Sequence, residues 1–210
     1  MQTFNYVKPS SLADAVKRLQ ASDDGRVLAG GMTLLPTMKL RLAQPSDVVD
    51  ISGLAELQGI RRSGDRLTVG AMTRHVEVAT SAEVRTALPA LAVLAGSIGD
   101  RQVRNRGTLG GSVANNDPAA DYPAAVLGLD AVVHTDRRSI PAASYFTGMF
   151  STALEAGEIV RAVEFRVPRR AGYAKFPSPA SRYALVGVFV ADFGSEVRVA
   201  VTGAGPGVFR

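Results

Sequence analysis

The stretch Gly99-Asp100-Arg101-Gln102-Val103-Arg104-Asn105-Arg106-Gly107-Thr108-Leu109-Gly110-Gly111-Ser112 decides how this chain is read. Three arginines, Arg101, Arg104 and Arg106, lead into what the glycine content predicts to be a turn built from Gly107, Gly110 and Gly111. Asp117-Pro118 and Asp121 follow. Glycine pairs let backbone approach a bulky ligand, because no Cβ intervenes. Their amides can form a concave nest for an anion. Thr108 and Ser112 add hydroxyl donors, and Asp121 is a candidate acceptor for a ribose hydroxyl. The composite suits a nucleotide diphosphate. Taken alone, it reads equally well as an arginine-bearing surface loop ending in a tight turn.

A second stretch, Ala29-Gly30-Gly31-Met32-Thr33-Leu34-Leu35-Pro36, follows the apolar run Arg26-Val27-Leu28-Ala29, which suits a strand. Leu34 to Leu42 suits a helix, with Pro36 tolerated in its first turn and Pro45 marking its end. A strand, two glycines and a helix start make another anion cradle. Two cradles in one short chain imply one long ligand gripped by both. Either one singly is an ordinary strand-to-helix turn.

Together these two motifs resemble the FAD-binding medium subunit of molybdenum hydroxylases of the carbon monoxide dehydrogenase and xanthine dehydrogenase type. Asp117-Pro118-Ala119-Ala120-Asp121, the opening Phe4-Asn5-Tyr6-Val7-Lys8-Pro9 and Glu158-Ile159-Val160 extend the resemblance over essentially the whole chain. It implies an α+β protein with a PCMH-type FAD-binding fold: two α/β subdomains at 1–53 and 54–175, and the start of a longer C-terminal α+β domain at 176–210. The first unit reads as βαβ-type. Ser11 and Asp14 suit a cap and first-turn acid for a helix presenting Leu12, Ala15, Val16 and Leu19 on one face, and a strand is expected at 48–51.

In the second unit, Arg66–Gly70 alternates like a half-buried strand. Val84–Ile98 is apolar at helical spacing, with Pro89 bending or dividing it. A helix over Pro118–Leu129 capped by Asp117, strands at Ala131–Thr135 and Ile159–Val167, and a hairpin of Leu185–Phe193 with Val197–Thr202 complete the expectation.

Composition narrows the function classes. The 210 residues are 46% hydrophobic and 20% charged, which is ordinary for a globular protein with a real core. The net charge of +5 fits a polyanionic ligand or an acidic partner. Arginine pairs are scattered with no dense basic tract, so nucleic acid is not the expected partner. The absence of cysteine excludes a disulfide, a thiol nucleophile and a cysteine-ligated iron–sulfur cluster on this chain. No signal segment and no membrane-length apolar run are visible, so a cytoplasmic location is the default expectation.

Ordinary catalytic patterns are thin. His75 and His134 lie far apart, each reading as a structural or surface residue, and no serine sits in an elbow motif. Gly203-Ala204-Gly205-Pro206-Gly207 mimics a dinucleotide fingerprint, but Pro206 leaves no helix to complete it. Redox chemistry would therefore belong to a cofactor, with the protein supplying grip and tuning.

The resemblance supplies roles. FAD lies in a cleft between the first two units. Ala29, Gly30, Gly31, Met32, Thr33, Leu34, Leu35 and Pro36 wrap its pyrophosphate. Thr108, Gly110, Gly111 and Ser112 hold the same diphosphate from the other side. Asp121 matches the acidic residue that contacts FAD, and Tyr183 lies in the segment approaching the flavin ring. The implied protein is an FAD-dependent oxidoreductase subunit with its substrate site on another chain. Electrons come from a small subunit carrying [2Fe-2S] clusters beside a molybdopterin large subunit, and leave to an external acceptor. The chain departs from the family at Ser112, where Asn is usual, and at Met32, where a polar residue is common. Those departures keep open a non-catalytic nucleotide-binding scaffold that has lost flavin; a free-standing FAD-dependent oxidoreductase is the other alternative.

Overall fold

A computed structural model describes residues 2–210. Its first sheet is parallel. The strand β1 (Asn5–Val7) pairs with one edge of a central strand over Asp47–Asp50, and β2 (Gly25–Leu28) pairs with the other. Parallel neighbours need crossovers, which are α1 (Leu12–Gln20) and α2 (Leu34–Lys39), the central strand being β3. Ser11 caps α1 by accepting from the Asp14 amide at 3.2 Å, and Leu12, Ala15 and Leu19 bury the expected face.

Helix α2 ends three residues before Leu42. Arg41 adopts a left-handed φ of 61°, the Arg41 amide returns to the Met38 carbonyl, and the Leu42 amide returns to that of Thr37 at 2.9 Å. That pair of bonds is a Schellman stop, and it ends the helix before Pro45 can. The core under this sheet also draws on Leu54, Leu57, Met72 and Ile159.

The second sheet is antiparallel. A hairpin of β4 (Ile60–Ser63) and β5 (Arg66–Gly70) is followed by six helices: α3 (His75–Thr80), α4 (Ala82–Ala87), α5 (Pro89–Ser97), α6 (Arg101–Arg106), α7 (Leu109–Asn115) and α8 (Tyr122–Gly128). Then come β6 (Val132–Thr135), β7 (Ser139–Pro141), α9 (Ala142–Tyr145), the small hairpin β8 (Phe146–Gly148) with β9 (Ser151–Thr152), and β10 (Val160–Arg166). The strand order is β4-β5-β10-β6-β7.

Of the two readings of the apolar run at 84–98, division by Pro89 holds: Leu88 is extended at φ −148° and Pro89 opens a new helix at its first position. Two other helical expectations are corrected. The arginine and glycine stretch is not a turn but two helices, with Gly110 and Gly111 in the first turn of α7. Helix α8 begins at Tyr122, because the Asp117 carboxylate accepts from the Ala119 amide at 2.9 Å and closes a turn instead of capping a helix.

The third sheet is antiparallel, with β11 (Arg170–Pro177), β12 (Ala184–Asp192) and β13 (Val197–Thr202) in that order. The expected hairpin is β12 and β13, turning through Gly194 at φ +89°. Strand β11 was not foreseen, and it runs across the expected border between residues 175 and 176. Phe189, Ala191 and Ala200 face inward and join the core of the second sheet. Helix α8, apolar on every side and buried along its whole length, packs against β12 and β13. That sandwich fixes the start of α8, and Asp121 with it, beside the third sheet.

Candidate functional site

The two glycine stretches meet. A Cβ on Gly30 would lie 2.1 Å from the Arg106 carbonyl oxygen and 2.9 Å from the Gly107 Cα. A Cβ on Gly111 would lie 3.7 Å from that of Ala29. Two backbones far apart in sequence therefore form one wall, with glycine where they come closest. The wall opens onto a cleft of about 630 Å³, within the range of small-molecule and cofactor sites.

Of the residues expected at a site, Ala29, Gly30, Gly31, Met32, Thr33, Leu34, Thr108, Gly110, Gly111, Ser112, Asp121 and Tyr183 all line this cleft, whereas Leu35 and Pro36 do not. Leu35 instead packs back on the left-handed Gly31, whose Cβ would meet its Cδ1 at 2.9 Å. Pro36 is exposed on α2. None of Arg101, Arg104 and Arg106 lines the cleft. Arg104 donates to the Ile98 and Gly99 carbonyls at 3.0 and 3.2 Å, which closes the end of α5. Arg106 faces a smaller polar side cavity with Arg74 and Glu77.

The cleft residues carry distinct chemistry. Thr108 caps α7, its Oγ1 accepting from the Gly111 amide at 3.2 Å. Thr33, at the start of α2, makes no side-chain cap bond. The Leu35 amide returns to the Gly31 carbonyl at 3.2 Å and Pro36 has no amide hydrogen, so Leu34 is the first-turn amide left for a ligand. Gly110 serves chain packing, since a Cβ there would lie 2.4 Å from that of Ala71. The connection from β11 to β12 closes one end of the cleft with Ala180, Ser181, Arg182 and Tyr183. Arg182 sits there at φ 61°, and the turn is held by the Ser178 amide donating to the Tyr183 carbonyl and the Arg182 amide donating to the Ser178 carbonyl, each at 2.8 Å. Tyr183 precedes β12 rather than lying in it. Burial pushes its hydroxyl pKa up, helped by Asp117 and Asp121 nearby.

Asp121 is only 5% exposed, and its carboxylate already has partners: the Tyr173 hydroxyl donates to it, and Lys175 Nζ lies 3.0 Å away. Burial raises its pKa against the opposing pull of Tyr173 and Lys175. Glu158 also lines the cleft and is held by Arg138 at 2.9 Å and by the Thr135 hydroxyl at 2.7 Å. The Arg138 bond is the main cause that lowers its pKa to about 2.

One site residue was missed. His75 is 5% exposed, lines the cleft, and is held neutral by burial and by the Arg104 charge, with a pKa lowered to about 4. Its amide donates to the Gly107 carbonyl at 3.0 Å, and Gly107 lacks a side chain where one would meet the imidazole Nε2 at 2.6 Å. Nothing in the local sequence marks it, because only the fold brings the start of α3 against the end of α6. His134, by contrast, lies on β6 beside Ser139 and Glu164, away from the cleft. The Gly203–Gly207 segment forms bends followed by Phe209 pairing with Val201, with no helix. Among the described residues no cluster of His, Cys, Asp or Glu can hold a metal, and no helix is long and apolar enough to cross a membrane.

A glycine-walled cleft between a parallel βαβ sheet and a helical layer defines a dinucleotide-cofactor protein. Residues 2–169 match the family described as the FAD binding domain in molybdopterin dehydrogenase. The chain is 39% identical to the carbon monoxide dehydrogenase medium chain of Hydrogenophaga pseudoflava, over 99% of this chain and 77% of that protein. It is 37% identical to the glyceraldehyde dehydrogenase medium chain of Sulfolobus acidocaldarius, over 90% and 69%. A solved carbon monoxide dehydrogenase from Hydrogenophaga pseudoflava superposes with a TM-score of 0.93 at 36% identity, covering 100% of this chain and 77% of that one. Quinoline 2-oxidoreductase from Pseudomonas putida 86 superposes at 0.92 and 32% identity, covering 99% and 76%. The chain belongs to the FAD-binding subunits of the molybdenum hydroxylases, an oxidoreductase family of α+β flavoproteins, and its cofactor is FAD.

Proposed function

We propose that this chain is the electron-transfer subunit of a molybdenum hydroxylase complex. It takes electrons from [2Fe-2S] clusters on a small partner subunit and passes them to an external acceptor, while substrate is oxidised on a molybdopterin large subunit. The observation that carries this reading is the meeting of the two glycine stretches in one cleft wall.

The residues present fit FAD. The amides of residues 30–34 and the Ser112 hydroxyl supply neutral donors for a diphosphate from two sides, while the amides of Leu109 to Ser112 are already paired within the protein and serve to bring that wall close. Asp121 supplies an acceptor for a sugar-type hydroxyl, and Tyr183 supplies an aromatic wall. Met32 and Ser112 leave the polar contacts to backbone and hydroxyl groups. Segments 1–53 and 54–175 act as the two sides of the grip. Bound FAD supplies the redox chemistry that no side chain here offers, consistent with a chain lacking cysteine. His75, neutral, adds no positive charge to the wall.

The test has two steps. The purified chain is desalted and its visible spectrum recorded, and flavin absorption that survives supports the reading. The FAD-loaded chain is then mixed without oxygen with a reduced [2Fe-2S] partner subunit. Bleaching of the flavin band is the expected result. A loaded chain that forms no complex with such a partner, and turns over a small substrate alone, would favour the free-standing oxidoreductase instead.

A further inference from the structure

Asp121 stands at the N-cap position of α8, yet its side chain makes no bond to that helix. Its partners come from β11 instead. The Tyr173 hydroxyl donates to one carboxylate oxygen and Lys175 Nζ to the other. Lys175 is 6% exposed, and it also donates to the Ser97 carbonyl at 3.3 Å, at the end of α5. Three elements thus converge on one carboxylate that lines the cleft. A buried ion pair contributes little net stability, because desolvation offsets the attraction.

An ionised carboxylate offers about four lone-pair positions, and its two protein partners leave acceptor capacity free on the cleft side. The other ionisable groups around it are Tyr122 on α8, Tyr183 before β12, and Asp117 in the preceding turn. None carries a positive charge, so Lys175 is its counter-ion.

We propose that Tyr173 and Lys175 are positioning residues that hold the Asp121 carboxylate ionised and aimed as a hydrogen-bond acceptor for the cofactor. The inference rests on the FAD reading of the cleft. It extends the site to β11, which no sequence motif marks.

The test is FAD affinity against pH. Wild type is compared with Lys175→Met, Tyr173→Phe and the double variant Asp121→Asn with Lys175→Met. Removing Lys175 leaves burial to act on Asp121 with less opposition, so its carboxyl takes up a proton at higher pH. Wild-type affinity is expected to be flat between about pH 6 and 8, since His75 titrates well below that range. Lys175→Met is expected to lose about tenfold in affinity on going from pH 8 to 6. Tyr173→Phe is expected to lose less, with the same sign. The double variant is expected to bind more weakly than wild type, with a flat profile restored.

A purely structural role would lower affinity equally at every pH. Where Lys175→Met fails to fold, Tyr173→Phe carries the same test, because it removes a hydroxyl and no charge. Folded variants with flat profiles beside a wild type that binds FAD would overturn this inference alone. A folded wild type that takes up no FAD would overturn both it and the cofactor reading.

Discussion

The two glycine pairs, Gly30-Gly31 and Gly110-Gly111, look alike in sequence and divide their work differently in space. Gly30 and Gly110 are packing glycines: one lets the first sheet's loop touch the end of α6, and the other lets α7 settle on Ala71. Gly31 is a conformational glycine, at φ +74°. Gly111 has open room apart from its own cap at Thr108 and the Ala29 methyl. A motif that reads as ligand-binding is thus half a device for bringing two backbones together. The ligand surface exists only because the packing half succeeds.

The sharpest way to break that comparison is Gly30→Ala. The new methyl would press on the Arg106 carbonyl at 2.1 Å, and overpacking of this kind costs about 1–3 kcal/mol or more. The expected outcome is a clear fall in unfolding free energy, read by urea denaturation, together with loss of FAD binding. Gly110→Ala should behave the same way, against Ala71.

Next comes acid. Glu158, with its pKa lowered to about 2, contributes stability that is fully present above its unfolded value of 4.5 and is lost as pH falls toward about 2. Melting temperature should therefore fall through that window, and Glu158→Gln should flatten the slope. An unchanged slope in the variant would place the acid sensitivity elsewhere.

The smallest stability effect is expected for Gly111→Ala. The new methyl would meet the Thr108 Oγ1 at 2.9 Å, a side-chain atom rather than backbone, so the cap must shift, at a cost of about 1 kcal/mol. The methyl also enters the cleft side of the wall, so FAD affinity should fall while the melting temperature drops far less than in Gly30→Ala. Equal losses in Gly30→Ala and Gly111→Ala, in both readouts, would erase the distinction between packing and ligand-facing glycines.

The strands that alternate were legible in sequence. Arg66–Gly70 matched to the residue, and β12 with β13 to within one. Strand β11 was not, because Arg170-Ala171-Gly172-Tyr173-Ala174-Lys175 has little intrinsic strand preference and takes its form from pairing with the valine-rich β12. Helix α6 was hidden by the glycines that flank it, Gly99 and Gly107, and α7 by Gly110 and Gly111 within its first turn, where the helix cost of Gly110 is offset by close packing on Ala71. Most of the candidate site was legible because its glycines and hydroxyls lie in two local runs. His75 was not, since it reaches the cleft only through a contact between distant elements, and neither were Tyr173 and Lys175, which lie behind the lining and touch it through Asp121.

The central claim is that both glycine stretches hold one cofactor. Hydrogen exchange of the intact chain, with and without added FAD, tests it most directly. Residues 29–34 and 108–112 are expected to gain protection together, with one saturation curve. Protection of only one stretch, or of neither in a folded chain, would contradict it.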